Sequence, residues 1–417
     1  MTTIGAVQRP RVRLRASAWQ LVGLPWGQPL SAWSVSEVPF VDVPLAPGRH
    51  VVRVVQDGER RWALKELPEW AGEREHDALT AMQRRDVPAV RPAGLVTGQS
   101  GGGAVLITEY LSDSVPWRSL LADPEGSADP HRAHLLEAVA IFLVDLHRQG
   151  VFWGDCSLSN LLFRRDGRGL QPVLVDAETA EVRPSLTDGQ RRHDLRILHD
   201  NLAGGLLDVA AELHRPVDLG QLLDETRSVA VRYSGLWQDL HAEPTLPFER
   251  RLDALGQVDR LNRLGYAVDE LRLTSVGARQ DEVRLTTVVA ERHHRATVLQ
   301  RLTGVRVTEG QAAVLLEDLR RHSCELVGTQ EQGTGRAWLE QVLRPALERL
   351  RRALPASPDL VQDYCDLLEV RWLLSERAGR DVGDGAAVQA LVARAVAPAA
   401  AVTSRRSPLA APEQRSA

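Results

Sequence analysis

An aspartate, an asparagine and a second aspartate lie close together in this 417-residue chain, at a spacing that could serve phosphoryl transfer. Four residues separate Asp155 from Asn160, and Asp176 follows after a further short stretch. One carboxylate can orient an attacking hydroxyl, while an amide oxygen and a second carboxylate can hold Mg²⁺ against nucleotide phosphates. The plainer alternatives are that Asp155 caps a turn, that Asn160 is a turn residue and that Asp176 ends a strand.

A solitary lysine is the second feature of interest. Lysine and arginine together number 51, and Lys65 is the only lysine among them. Arginine therefore serves nearly every role of positive charge in this protein. Its guanidinium is larger, planar and forked, so it replaces a compact ammonium poorly. The retention of Lys65 indicates either such a need or chance survival.

The hydrophobic pattern predicts the elements that would position these residues. Residues 1–16 read as a loose basic lead-in, and residues 17–115 as a small antiparallel sheet with one helix. Asp57-Gly58 between two strand-like runs is a hairpin signal. The predicted strands are 50–55, 61–65, 90–97 and 104–110, and the predicted helix is 73–84.

The rest of the chain is predicted to be mainly helical. Residues 116–240 contain two long helices and two short strands, and residues 250–397 contain a strand pair followed by helices. Trp372 falls on an apolar helix of that last region, which favours a core position. The tail, 398–417, is rich in Ala, Pro, Ser and Arg, which predicts disorder.

Composition excludes several classes of protein. Hydrophobic residues make up 43% and charged residues 25%, which is typical of a soluble globular chain. The net charge of -4 argues against general nucleic-acid binding, and no run approaches the roughly 20 apolar residues of a membrane helix. Cys156, Cys324 and Cys365 form no metal pattern or disulfide framework. The first 25 residues make a poor signal peptide, so we expect a cytoplasmic protein.

The order of these features resembles the protein-kinase-like superfamily. Segment 63–65 looks like the strand that carries the phosphate-binding lysine, and segment 107–111 looks like the strand that leads into the hinge. Segment 153–155 stands where kinases usually carry His-Arg-Asp. The resemblance implies an α+β, bilobal kinase-like fold with an extra, mainly helical C-terminal domain. The implied parts are an N-terminal lobe at 17–115, a compact C-terminal lobe at 116–240 and the extra domain at 250–397.

The resemblance also implies ATP and Mg²⁺ as cofactors. Asp155 would orient the acceptor, and Asn160 and Asp176 would bind the metal. Lys65 would neutralise the phosphates and pair with Glu75, or with Glu73 as the second candidate. The implied nucleotide-binding residues are Lys65, Glu75, Thr108, Glu109, Leu111 and Gly48. Among these, Thr108 would lie at the back of the pocket, and the backbone from Glu109 to Leu111 would bind adenine.

Several departures from ordinary protein kinases are visible. No Gly-x-Gly-x-x-Gly precedes the lysine strand, and Gly48 in segment 45–50 is the only glycine that could serve there, with Arg49 or His50 as further candidates to touch phosphate. Ser157 stands where protein kinases usually carry a lysine. Glu178 either assists a second metal or faces solvent. Only about fourteen residues separate Asp176 from the next predicted helix, which leaves little room for a peptide-docking segment.

A narrower resemblance covers nearly the whole chain. It is to a bacterial family of unknown function whose members are often labelled lipopolysaccharide-kinase-like. The segments that carry it are 153–160, 175–179, 184–190, 301–304 and 371–376. We therefore expect a phosphotransferase with a non-peptide acceptor such as a sugar, lipid or metabolite, while a protein acceptor and AMP transfer stay open. The alternative is a nucleotide-sensing pseudokinase that recruits a protein partner through its C-terminal domain.

Overall fold

The computed structural model describes residues 9–43, 49–99, 102–121, 128–276, 282–325, 331–355 and 357–396. Gly48 and the tail predicted to be disordered, 398–417, lie outside these residues. The chain divides into two compact units, Met1–Arg292 and His293–Ala417. The first unit contains every residue that the sequence singled out for chemistry, Gly48 included.

The first unit begins with a five-stranded antiparallel sheet and one helix. The strand order is β1-β4-β5-β3-β2. These elements are β1 (Arg11–Leu14), β2 (Val52–Asp57), β3 (Arg60–Pro68), α1 (Glu69–Gln83), β4 (Pro92–Thr97) and β5 (Gly103–Glu109). The turn between β2 and β3 contains Gly58 at a φ of 58°, as the Asp-Gly hairpin signal predicts. The sheet, its hairpin and its helix are therefore close to their predicted positions.

Alternation of side chains along the central strands gives the sheet two apolar faces. Leu67, Ala104 and Leu106 pack with the buried side of α1 in the main core. Trp62 and Leu64 point to the opposite face, under a cover of 3₁₀ turns. That cover comes from residues 16–33 and includes Leu21, Trp26, Leu30 and Trp33.

Residues 11–14 are a correction to the predicted loose lead-in. They form β1 and pair with β4, with Arg11 opposite Thr97 and Leu14 opposite Gly94. The burial pattern of this strand is almost entirely exposed. An exposed edge strand that alternates arginine with apolar residues carries too weak a signal to distinguish it from a basic tail.

The second part of the first unit is helical around the long α3. Its elements are β6 (Val115–Pro116), α2 (Trp117–Leu121), α3 (Ala128–Arg148), β7 (Val151–Phe152), β8 (Leu161–Asp166), β9 (Gly169–Leu174), β10 (Glu181–Val182), α4 (Asp188–Glu212) and α5 (Leu219–His241). β8 and β9 form a hairpin, with Leu161 opposite Leu174. These two strands carry the predicted site residues to one place, because Asn160 precedes β8 and Asp176 follows β9.

A further helix and a three-stranded sheet complete the first unit. They are β11 (Thr245–Pro247), α6 (Ala254–Arg263), β12 (Val268–Val276) and β13 (Glu282–Val289). The Tyr266 hydroxyl donates to Asp145 Oδ1 on α3 at 2.8 Å, and Arg148 donates to the carbonyl of Val289 at 2.7 Å. The structure differs here from the boundary predicted near 250, because these contacts tie the hairpin to α3.

The second unit is helical throughout its described residues. Its helices are α7 (His294–Thr303), α8 (Glu309–Glu325), α9 (Glu331–Trp338), α10 (Arg344–Ala353), α11 (Leu360–Ala378) and α12 (Gly383–Val396), with a π-helical turn at Leu339–Leu343. Trp338 and Tyr364 are buried in its own core. Trp372 is 59% exposed, so the core position predicted for it is wrong. The buried residues of α11 all lie between Gln362 and Val370, so Trp372 follows the packed part of the helix, which periodicity alone does not reveal.

The α+β class and the mainly helical C-terminal region are confirmed. Among the described residues, no helix is both long enough and apolar enough to cross a membrane.

Candidate active site

A three-residue ion cluster lies at the centre of the first unit. Lys65 Nζ is 2.9 Å from Glu75 Oε2 and 2.8 Å from Asp176 Oδ2. The Glu75 side chain has no exposed surface, the Lys65 side chain is 14% exposed, and that of Asp176 is 31% exposed. The cluster therefore runs from a fully buried carboxylate to a carboxylate that solvent can reach.

Strand pairing and helix periodicity explain how these groups meet. Lys65 lies opposite Leu106, and Ala63 lies opposite Thr108, so these side chains share the sheet face that α1 covers. On α1, Glu75 is buried. The runner-up, Glu73, is exposed because two residues of helix rotate it far from the buried face. The structure thus brings Lys65 to Glu75 and not to Glu73.

The charges in the cluster shift one another's protonation. Burial by itself would lower the pKa of Lys65, but the carboxylates of Glu75 and Asp176 outweigh it and raise that pKa. Burial raises the pKa of Glu75 to about 7, with Asp176 adding to the rise and Lys65 opposing it. The Ala177 amide also donates to Glu75 Oε1 at 3.2 Å. Lys65 is therefore held as a cation at neutral pH.

The loop around Asp155 is braced by its own hydrogen bonds. The Asp155 carbonyl accepts from the Ser157 amide at 2.8 Å and from Asn160 Nδ2 at 3.2 Å. Gly154 has a φ of 80°, and a Cβ at this position would lie 3.1 Å from the Thr179 carbonyl. The backbone thus favours glycine immediately before the aspartate.

A buried carboxylate that we did not predict from the sequence holds the backbone of this loop through hydrogen bonds. Asp194 on α4 is fully buried and accepts from the amides of Trp153 at 2.8 Å and Gly154 at 2.9 Å. Its Oδ2 also lies 3.1 Å from His147 Nε2. Its donors are mainly backbone groups, which leave no mark in the sequence. The only available sign was a charged residue on the apolar side of a predicted helix.

The segment from Asp176 to α4 is short and tied down at several points. Thr179 Oγ1 donates to the Trp153 carbonyl at 2.9 Å, and β10 pairs with β7. Arg74 on α1 reaches the Thr179 carbonyl at 3.4 Å, and Arg85 donates to the Arg183 carbonyl at 2.9 Å. The segment therefore contacts both the helix of the sheet part and the loop of the helical part.

His50 and Glu178 close one side of the site. His50 Nε2 lies 3.2 Å from Glu178 Oε2, and both side chains are largely buried. Glu178 is therefore paired with His50 and does not face open solvent. Arg49, the described residue nearest in sequence to Gly48, is exposed.

The donor set near Asp176 suits a magnesium ion. Asn160 uses its Nδ2 as a donor to Asp155, and its Oδ1 accepts no hydrogen bond from the described residues. The Asn160 carbonyl accepts from the Val175 amide at 2.9 Å, which brings the backbone at Asn160 next to the residue before Asp176. Mg²⁺ is usually held by one or two carboxylates and by phosphate oxygens. No group of three or more His, Cys, Asp or Glu in the described ranges could hold a metal by itself.

Two family models match parts of this chain. Residues 46–215 match the lipopolysaccharide kinase (Kdo/WaaP) family. That stretch is therefore similar to the protein-kinase-like superfamily, and it contains Lys65, Asp155 and Asp176. Residues 235–396 match a domain of unknown function (DUF4032). The kinase-like resemblance that we inferred from the sequence, including its lipopolysaccharide-kinase-like character, is confirmed.

Individual relatives cover only parts of the kinase-like chain. Dual specificity testis-specific protein kinase 1 from Homo sapiens is 34% identical over 123 residues, which is 30% of this chain and 18% of that protein. The Mus musculus protein of the same name also matches with 34% identity over 123 residues. The chain therefore spans about a fifth of the length of the curated relatives it matches.

Two solved structures are similar to parts of this chain. The structure titled "WaaP in complex with acyl carrier protein" is 18% identical, with a TM-score of 0.34, and the match covers 55% of this chain and 98% of that one. The Cydia pomonella granulovirus kinase PK-1 is 20% identical, with a TM-score of 0.27, and the match covers 36% of this chain and 58% of that one.

The predicted adenine-binding segment lies at the end of β5. Thr108 is buried, and the Glu109 amide donates to the Arg91 carbonyl at 2.9 Å. The Leu111 carbonyl accepts from Ser114 Oγ at 2.9 Å, while its amide donates to no atom of the described chain. A backbone donor is thus free where the kinase-like resemblance places the adenine ring. The roles of these residues toward nucleotide and metal stay predictions.

Proposed function

We propose that the protein is an ATP- and Mg²⁺-dependent phosphotransferase that acts on a non-peptide hydroxyl acceptor. The observation that carries this proposal is the position of Lys65 between the buried Glu75 and the partly exposed Asp176. A structural ion pair needs only one carboxylate. Lys65 is held by one buried carboxylate and also contacts a second carboxylate that solvent can reach. This position allows the ammonium to bind a further anionic group.

Lys65 and Asp176 would divide the work on the triphosphate. Lys65, oriented by Glu75, neutralises phosphate oxygens, and Asp176 with Asn160 would hold Mg²⁺, which supplies further positive charge at those oxygens. The buried ion pair to Glu75 fixes the ammonium before the nucleotide arrives. Prepositioned charge of this kind costs no reorganisation during the reaction.

Asp155 would orient the acceptor hydroxyl and take its proton. The loop that carries it is held by Asn160 from one side and by Asp194, through the amides of Trp153 and Gly154, from the other. A reacting group fixed in this way contributes to rate mainly by positioning.

The short segment after Asp176 favours an acceptor smaller than a peptide. It reaches α4 at Asp188 after β10 and is held by Arg74, Arg85 and the pairing of β10 with β7. A segment held at both ends within so few residues offers little backbone against which an extended peptide could lie. The match to the lipopolysaccharide kinase family supports the same choice.

The direct test incubates the purified chain with Mg-ATP and fractionated small-molecule, lipid and protein extracts. ADP release with mass gain on a small molecule or lipid supports the proposal. Transfer to protein alone, or release of AMP instead of ADP, contradicts it. The control is Asp155→Asn, which preserves size and local hydrogen bonding while removing the proposed base.

The second candidate is a nucleotide-sensing pseudokinase, favoured by the missing glycine-rich motif before Lys65. It predicts that Mg-ATP raises the melting temperature without turnover, equally in the wild type and in Asp155→Asn. It also predicts a protein partner bound through residues 293–396. Retention of Lys65, Asp155, Asn160 and Asp176 together favours the enzyme.

A further inference from the structure

A buried chain of hydrogen bonds connects α5 to the loop that carries Asp155. The Tyr233 hydroxyl lies 2.7 Å from His147 Nδ1, and His147 Nε2 lies 3.1 Å from Asp194 Oδ2. The same carboxylate accepts from the amides of Trp153 and Gly154. The side chains of His147 and Asp194 have no exposed surface, and Tyr233 is 3% exposed.

We infer that Tyr233 is a positioning residue for the catalytic loop, acting through His147 and Asp194. The inference rests on the proposed function for its kinetic readout, but its structural readout does not. Tyr233 touches neither Asp155 nor the ion cluster, so its effect passes through the orientation of the Asp194 carboxylate.

The protonation state of His147 determines which group donates in each of these hydrogen bonds. Burial lowers the pKa of His147, although Asp194 opposes that shift, and the guanidinium of Arg191 lowers the pKa further. A neutral imidazole has one donor and one acceptor. With the Tyr233 hydroxyl donating to Nδ1, the proton of the imidazole stays on Nε2 and points at Asp194. The hydroxyl and the carboxylate thus favour the same tautomer, and together they fix the orientation of the ring.

Without the hydroxyl, the Nδ1 lone pair is buried without a donor, while the Asp194 carboxylate still favours a proton on Nε2. The imidazole is then held from one side only and is free to rotate away from Asp194. The carboxylate loses a fixed donor, and its bonds to the Trp153 and Gly154 amides weaken. The loop before Asp155 would lose part of its support while the ion cluster around Lys65 stayed intact.

Aromatic stacking keeps Tyr233 in place. Its ring stacks on Trp237 at 5.8 Å, and Trp237 stacks on His241 at 4.0 Å, one turn further along α5 in each case. The guanidinium of Arg191, from α4, lies 4.1 Å from the Trp237 ring. The hydroxyl is therefore delivered to His147 by a fixed helix face.

The experiment compares Tyr233→Phe with Tyr266→Phe. Tyr266 is a matched control, because it is also buried and also donates to a side chain of α3, but at Asp145 and not at His147. Amide hydrogen exchange is measured by mass spectrometry over residues 151–156, together with kcat and the KM for ATP. We expect Tyr233→Phe to speed that exchange about 2- to 12-fold, the effect of one neutral hydrogen bond, and to lower kcat with little change in KM.

His147→Leu supplies a second comparison that does not depend on the stability of one variant. Adding Tyr233→Phe to His147→Leu should cause no further loss, because leucine offers the hydroxyl no acceptor. Equal exchange in Tyr233→Phe and Tyr266→Phe, or an undiminished effect in the His147→Leu background, would overturn the inference. If the wild type shows no turnover, the proposed function fails, while faster exchange in Tyr233→Phe alone still supports the positioning role.

Discussion

Each unit of this protein holds a cation between two carboxylates. The two arrangements differ in burial and in how far apart the two carboxylates lie in the sequence. In the first unit, Lys65 lies between Glu75 and Asp176, which are far apart in the chain. In the second unit, Arg371 lies 2.9 Å from Asp384 and is also paired with Asp381, three residues away from it. The Lys65 side chain is 14% exposed, whereas the side chain of Asp381, the partner of Arg371, is 60% exposed.

This difference in burial distinguishes a candidate active site, around Lys65, from an ion pair that joins two helices, around Arg371. The arginine of the second unit joins the end of α11 to the start of α12, and Arg349 adds a bond to Asp384. Exposed pairs of this kind contribute little, because water and salt screen them. A buried cation with one accessible partner is costly to maintain, so its presence indicates a task beyond stability.

The largest expected effect in this comparison comes from removing the proposed base. Asp155→Asn should lower phosphotransfer by about 10²- to 10⁴-fold, the usual contribution of a positioned general base. Affinity for Mg-ATP should change little, because Asp155 is not in the ion cluster. Steady-state turnover and nucleotide titration measure the two quantities separately, and equal loss of both would contradict the assignment.

The next largest effect is expected for Lys65→Arg. Arg371→Lys is the matched substitution in the second unit. We expect Lys65→Arg to lower kcat/KM for ATP about 10- to 100-fold, as expected from the loss of a charge-assisted hydrogen bond in a tight site. The melting temperature should change little in both variants. Full activity of Lys65→Arg would contradict the phosphate-binding role proposed for the only lysine.

The protonation of Glu75 gives a smaller, pH-dependent effect. Its pKa in the folded protein, about 7, is higher than that of a glutamate in the unfolded chain. The folded state therefore binds the extra proton, so this group lowers the free energy of unfolding as pH rises from the ordinary glutamate range to about 7. Above pH 7 its contribution becomes constant.

Urea unfolding from pH 4.5 to 8 measures this contribution. Wild type and Glu75→Gln should differ in slope below about pH 7 and run parallel above it. Parallel curves over the whole range would show that Glu75 titrates normally and that the buried pair is ionised throughout.

The smallest effect is expected in the second unit. Arg371→Ala should lower the melting temperature by about 2 °C or less, and 0.5 M salt should shrink the difference, since the ion pairs are exposed. Nucleotide affinity should not change. Differential scanning calorimetry at two salt concentrations tests this, and a loss of nucleotide binding would erase the contrast between the two arrangements.

Much of the fold was predictable because strands and helices leave periodic patterns. The β2–β3 hairpin, α1, β4 and β5 lie close to their predicted positions. β1 was missed because an exposed edge strand with only two apolar residues, Val12 and Leu14, gives too short a pattern to detect. The attachment of the 254–289 segment to α3 depends on long-range contacts of Tyr266 and Arg148, which no local pattern encodes.

The identity of the site residues came from residue type and order in the chain. Lys65, Asp155, Asn160 and Asp176 were assigned from the sequence because phosphoryl transfer has few suitable side chains and the kinase-like order is specific. The choice between Glu75 and Glu73 needed the orientation of α1 on the sheet. Asp194 and His147 were out of reach, because their partners are backbone amides and side chains from three separate elements.

The sequence by itself therefore determined which groups are available for chemistry and which local elements carry them, since composition and periodicity are local properties. Only the tertiary structure decided which carboxylate meets Lys65, what holds the loop before Asp155 and which aromatic residues are buried. Those outcomes depend on distances between segments that are distant in the chain, and such distances are set by packing.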